Sequence, residues 1–120
     1  MKTLDEMFAY AKNIVDNDEN ANVLFLFKTW DDLLKYRSVC TKKYIAVYES
    51  KGILRLAVLP LSHKEGWQLV AGMQLTHVFC QGYPSAEVRG MLSSRLRSFI
   101  KTKEPMGFYY DGWVERYTDY

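Results

Sequence analysis

The side chains best suited to nucleophilic or metal chemistry are two histidines and two cysteines, and only His77 and Cys80 lie close together in the sequence. Their segment, LTHVFC, is apolar and rich in branched and aromatic residues, so we expect a β-strand there. Because side chains alternate along a strand, His77 and Cys80 would point to opposite faces of a sheet. We therefore expect a buried Cys80 and a partly exposed His77 rather than a catalytic pair.

The four residues Cys40, His63, His77 and Cys80 also lack the short paired spacings of zinc sites. Glycine-rich phosphate loops and the motifs of serine hydrolases and zinc proteases are absent from the sequence. The neighbouring carboxylates of Asp31 and Asp32 are expected to stabilise the start of a helix rather than bind a cation. We expect no cofactor and no metal, and a non-catalytic protein is favoured over an enzyme with a dispersed site.

Basic residues are the second group of candidate functional residues, because they could bind an anionic partner. The net charge of +2 is unevenly distributed along the sequence. Residues 1–34 carry a net charge of −4, residues 35–105 carry +8, and residues 106–120 carry −2. A basic centre between acidic ends is suited to an anionic partner, since binding responds to the local potential.

A predicted helix over about residues 86–101 displays part of this charge. Arg97 and Lys101 lie opposite its apolar stripe, and Arg89 lies at the border of the stripe. Arg95 projects into the apolar stripe, where it must either extend to the edge or pair with a carboxylate. In the second case it would anchor an anionic ligand or a carboxylate of a partner.

Aromatic residues near the C-terminal end of the sequence add a third kind of binding group, because Tyr and Trp are enriched in protein interfaces. Together with the basic residues they define the candidate partner- or anion-binding set. Its members are Arg37, Lys42, Lys43, Arg89, Arg95, Arg97, Lys101, Tyr109, Trp113 and Tyr117.

The first part of the sequence predicts three elements that would position these residues. An amphipathic helix over about residues 4–16 starts at a capping box formed by Thr3 and Glu6. Val23 to Phe27 is a short apolar run typical of a buried strand. A short helix from Thr29 to about Ser38 follows.

The remaining pattern predicts an antiparallel sheet, made of a meander and a C-terminal hairpin. Asp111-Gly112 between aromatic runs is a strong signal for the hairpin turn. The predicted meander strands are Tyr44–Tyr48, Ile53–Leu59, Trp67–Gly72 and Leu75–Cys80. Residues 63–72 are open to a second interpretation as a short helix, because Ser62 and Glu65 also form a capping box. We expect one α+β domain over residues 1–120, its sheet packed by the N-terminal helix and the helix near residues 86–101.

Composition narrows the class of protein. The 120 residues are 48% hydrophobic, which is too apolar for intrinsic disorder, yet no apolar run approaches the roughly 20 residues that span a bilayer. Without a signal peptide, and with two cysteines, the expected location is the cytoplasm, with no membrane partner.

These features favour a small interaction module, acting as an inhibitor, adaptor or regulatory subunit on a protein partner. Accessory proteins of phages and mobile elements have a similar profile. The main alternative is a nucleic-acid-binding domain that uses the basic helix over residues 85–103. A small-ligand binder or an enzyme with a dispersed site is the further alternative. The edge hairpin could also pair with a second copy and form a homodimer.

Overall fold

The computed structural model describes residues 3–37, 47–49, 53–59, 74–96, 101–110 and 113–116. These ranges form three helices and six strands: α1 (Leu4–Asn17), β1 (Asn22–Phe27), α2 (Trp30–Arg37), β2 (Val47–Glu49), β3 (Ile53–Val58), β4 (His77–Cys80), α3 (Ala86–Ser93), β5 (Gly107–Tyr110) and β6 (Trp113–Arg116). The strands form one sheet in the order β2-β3-β1-β4-β5-β6. None of the helices in the described ranges has the length and apolar character that crossing a membrane requires.

The centre of the sheet is parallel, so the predicted antiparallel sheet is wrong. Strand β1 pairs in parallel with β3 and β4, and β4 pairs in parallel with β5. Among the described strands, β2 and β6 at the edges are antiparallel to their neighbours. Parallel neighbours need a crossover connection, and α2 and α3 lie in two of these connections. The predicted strand Trp67–Gly72 and its helical alternative lie outside the described residues.

Both faces of the sheet are covered by helices. Val23, Phe25 and Phe27 of β1 pack with α1 and α2 on one face. Leu24 and Leu26 of the same strand pack with α3 on the opposite face. Because alternate side chains are buried on opposite faces, β1 is apolar at every position after Asn22.

Two local predictions are confirmed. Helix α1 starts at the capping box, in which Thr3 Oγ1 accepts from the Glu6 backbone N–H at 3.1 Å and donates to Glu6 Oε1 at 3.1 Å. The C-terminal hairpin is also present, with Tyr110 opposite Trp113 in an antiparallel pair. Both elements depend on short-range signals, a cap and a turn, that the sequence displays directly.

The helix predicted near residues 86–101 is shorter than its apolar stripe indicates. Helix α3 ends at Ser93, and Leu96 forms a parallel bridge with Leu75 instead of continuing the helix. The Leu75 N–H donates to the Arg95 carbonyl at 2.8 Å. Residues 94–96 therefore extend the sheet pairing ahead of β4. Because Arg95 lies beyond the end of α3, the position predicted for it from helical spacing does not apply.

Candidate functional site at the carboxyl edge of the sheet

The carboxyl ends of β1 and β4 lie side by side, and the chain leaves them in different directions. After β1 it enters α2, which packs on one face of the sheet. After β4 it enters α3, which packs on the other face. In open sheets with parallel strands, such a divergence leaves a crevice between the two strand ends, and ligands bind there as a general rule.

Gln81 crosses this crevice directly after β4. Its side-chain Oε1 accepts from the Lys28 backbone N–H at 2.7 Å, and its Nε2 donates to Asp32 Oδ2 at 3.0 Å. Its backbone N–H donates to the Leu26 carbonyl at 2.9 Å. The half-buried Gln81 side chain therefore joins the end of β4 to the exit of β1 and to the first turn of α2.

Thr29 and Asp32 form the cap of α2 at the same place. Thr29 Oγ1 accepts from the Asp32 N–H at 3.2 Å and donates to Asp32 Oδ2 at 3.0 Å. Asp32 Oδ2 thus accepts from both Thr29 and Gln81, which fixes the orientation of the carboxylate. Helix capping accounts for the Thr29–Asp32 contact.

An aromatic and basic group lies beside this crevice. We name it the Tyr83 cluster and define it as Tyr83, Arg89, Phe108 and Tyr110. The Tyr83 ring stacks on the Tyr110 ring with centroids 4.9 Å apart, yet Tyr83 is 68% exposed. Arg89 Nε donates to Tyr110 Oη at 3.1 Å, and the guanidinium carbon lies 5.1 Å from the centroid of Phe108. This hydrogen bond raises the pKa of Arg89, so the cluster keeps its positive charge.

The structure brings one member of the predicted binding set, Arg89, to this edge. Lys101 is exposed at the amino edge, where its carbonyl accepts from Asn20 Nδ2, and Arg37 and Arg95 are half-buried elsewhere. Tyr109 is 1% exposed and stacks on Phe79 in the core. The other members of the set lie outside the described residues: Lys42, Lys43, Arg97, Tyr117 and the side chain of Trp113.

His77 and Cys80 point to opposite faces, as predicted. Cys80 is buried against the layer that contains α3, while His77 faces Tyr109 on the other side. His77 is fully buried, so its predicted partial exposure is wrong. Its Nδ1 lies 2.8 Å from Thr76 Oγ1 and its Nε2 lies 3.2 Å from the Glu104 carbonyl oxygen. Among the described residues no three His, Cys, Asp or Glu side chains cluster so that they could hold a metal.

The sequence interpretation missed Gln81 and Tyr83. The available signal was a polar residue and a glycine directly after an apolar strand, with only Tyr83 and Pro84 between them and the Ser85 cap of a helix. Gly82 has a φ of 90°, a conformation that favours glycine and that turns the chain out of the sheet.

No protein-family model, curated protein or solved structure matches this chain at a significant level.

Proposed function

We propose that the protein binds a small polar ligand in the crevice between β1 and β4. The observation that supports this function is the position of Gln81, whose side chain spans the two strand ends where their connections diverge. This function develops the small-ligand alternative of the sequence interpretation. It is favoured because ligands of open parallel sheets bind, as a general rule, at the strand ends where the connections diverge to opposite faces.

The groups around the crevice suit a ligand with hydroxyl or amino groups. Lys28 and Thr29 are exposed, and Asp32 and Gln81 are half-buried, so a solute can reach all four. The Asp32 carboxylate and the Gln81 amide oxygen accept hydrogen bonds, while the Gln81 amide nitrogen donates them. Since both ends of the Gln81 side chain are already bonded, its orientation is set before a ligand arrives.

Replacing Gln81 by alanine is expected to weaken ligand binding about 3- to 10-fold, the value of one or two hydrogen bonds. The measurement is a titration monitored by backbone amide chemical shifts, using a panel of monosaccharides, amino acids and nucleosides. Shifts should concentrate at Lys28, Gln81 and Gly82. Gln74→Ala is the matched control, because Gln74 is exposed on the amino side of β4. The proposal is contradicted if the ligands change the chemical shifts only of amides at the amino edge of the sheet, or of no amides at all.

A second candidate function, binding of a protein partner, is favoured by the outer face of α2. Trp30 and Leu34 lie one turn apart on this helix and are 52% and 51% exposed, whereas Leu33 and Tyr36 of the same helix are buried. Large apolar side chains that remain exposed together are typical of interaction sites. We propose that a protein partner covers this pair.

Leu34→Asp is expected to abolish capture of such a partner without loss of folding, because Leu34 is exposed. The measurement is affinity capture from nuclease-treated lysate of the native cell, with circular dichroism to verify folding. Glu87→Ala, at an exposed position of α3, is the control and should capture the same protein. Equal recovery with Leu34→Asp and with the unchanged chain would exclude this surface.

A further inference from the structure

We infer that the Tyr83 cluster binds a nucleotide, with the base stacked on Tyr83 and the phosphate held by Arg89. This inference rests on the proposed function, since the cluster adjoins the crevice between β1 and β4, and it names the class of ligand. The shared chemistry is an aromatic ring that carries a phosphate. Its source is either a free nucleotide or a single-stranded nucleic acid.

Tyr83 is positioned for stacking. One face of its ring lies against Tyr110, with an interplanar angle of 27°, and the residue is nonetheless 68% exposed. Because Tyr110 is 5% exposed and belongs to the core, it holds the orientation of the Tyr83 ring. A base added to the outer face would continue this stack without ordering a mobile side chain.

Arg89 is positioned for a phosphate. Tyr110 contacts both residues, since its ring stacks on Tyr83 and its hydroxyl accepts from Arg89 Nε. The guanidinium carbon also lies over the Phe108 ring, 5.1 Å from its centroid, so the group packs against an aromatic side chain. Guanidinium groups bind phosphate oxygens through two parallel N–H donors. A phosphate bound to Arg89 would be separated from the Tyr83 ring by the Tyr110 side chain. Glu87 is exposed in the first turn of the same helix and reduces the positive potential, so we expect moderate affinity.

The neighbouring crevice provides hydrogen-bond acceptors for the hydroxyl groups of a sugar. Asp32 and Gln81 present carboxylate and amide oxygens that accept hydrogen bonds from hydroxyl groups. Gln81 and Tyr83 are separated only by Gly82 in the loop after β4. A nucleotide could therefore place its ribose toward Gln81 while its base stacks on Tyr83.

The test is a set of calorimetric titrations with 5′-AMP, adenosine and ribose 5-phosphate, which separate the ring from the phosphate. We expect 5′-AMP to bind about 10-fold more tightly than either fragment. Tyr83→Ala should weaken 5′-AMP binding about 5- to 150-fold, the range of base stacking, while Tyr83→Phe stays within about 3-fold. Arg89→Gln should weaken 5′-AMP binding about 10-fold and leave adenosine binding unchanged.

Lys101→Gln is the matched charge control, because Lys101 is exposed at the opposite edge of the sheet, and it should leave 5′-AMP binding within about 2-fold. A single-stranded heptanucleotide that binds more tightly than 5′-AMP, with steep salt dependence and the same response to Tyr83→Ala, assigns the source to nucleic acid. Equal or weaker binding of the heptanucleotide assigns it to free nucleotides.

Binding of 5′-AMP that Tyr83→Ala and Arg89→Gln do not change overturns the inference. A panel ligand that depends on Gln81 while 5′-AMP does not bind also overturns it, but leaves the proposed function standing. Absence of binding by every ligand, 5′-AMP included, overturns both.

Discussion

Replacing Phe25 by alanine is expected to lower the free energy of unfolding by about 3–5 kcal/mol, the usual cost of removing a buried phenyl ring. Phe25 is fully buried on β1, and its ring centroid lies 4.5 Å from that of Phe27, 5.6 Å from Phe8 and 5.8 Å from Phe79. The cavity would therefore open between the central strand and α1. Because domains are stable by about 5–15 kcal/mol in total, the loss is a large fraction of the whole. Urea denaturation followed by far-ultraviolet circular dichroism measures it.

Leu34→Ala is the control for this experiment, since Leu34 is 51% exposed and its truncation should change the unfolding free energy by less than about 0.5 kcal/mol. Phe25→Leu should fall between the two, because it keeps part of the apolar contact. A loss below about 1 kcal/mol for Phe25→Ala would contradict a central position of β1 in the core.

Acidification below pH 6.5 is expected to destabilise the protein through His77. Burial lowers the pKa of the His77 imidazole below its ordinary value of 6.5, although the Glu104 carbonyl and the charges of Asp18 and Glu104 oppose this effect. Below pH 6.5 the unfolded chain binds a proton at His77 that the folded chain does not yet bind. The contribution of His77 to the free energy of unfolding is therefore fully present above pH 6.5 and is lost as the pH falls toward the pKa of His77 in the folded chain. Urea midpoints measured between pH 5 and 8 test this.

His77→Gln separates this effect from other titrations. The variant should be less stable at pH 7.5, because the contacts with Thr76 and Glu104 change, but its urea midpoint should vary less between pH 6.5 and 5. His63→Gln is the matched control for the second histidine of the sequence. A pH dependence that survives in His77→Gln and disappears in His63→Gln would contradict the assignment.

Local elements could be predicted from the sequence because their signals are local. Helix α1 was expected over about residues 4–16 and is observed over Leu4–Asn17, since its cap and its apolar stripe lie within a few residues of each other. The buried strand expected at Val23 to Phe27 is observed over Asn22–Phe27. The short helix expected from Thr29 to about Ser38 is observed over Trp30–Arg37.

The direction of the strands could not be predicted in the same way. Turn signals between Tyr48 and Ile53 correctly indicate an antiparallel pair of β2 and β3. The same kind of turn signal later in the chain predicts the antiparallel meander. The continuous apolar run of β1 was the contrary signal, because strands covered on both faces are typical of parallel sheets. A local sequence pattern cannot decide between parallel and antiparallel pairing, since the strand direction depends on which face of the sheet each connecting helix covers.

The candidate site was predicted only in part for a related reason. Arg89 stands out as a basic residue at the border of an apolar stripe. Its partner Tyr110 is 21 residues away in the sequence, and the bond from Gln81 to Asp32 joins residues 49 positions apart. Such contacts exist only once the sheet has formed, so no sequence pattern of helical or strand period displays them.

The central position of β1 also determines how the chain reaches its folded state. β1 needs β3 on one edge and β4 on the other, and the backbone of Asn22 bonds to Thr76, which lies 54 residues later. Contacts of this sequence separation form slowly, because the loop must be closed before the contact stabilises it. During synthesis on the ribosome, the apolar strand therefore emerges well before its partners. One edge stays available for pairing with other nascent chains until β3 emerges, and the other until β4 emerges, which makes β1 an aggregation hazard of the folding chain.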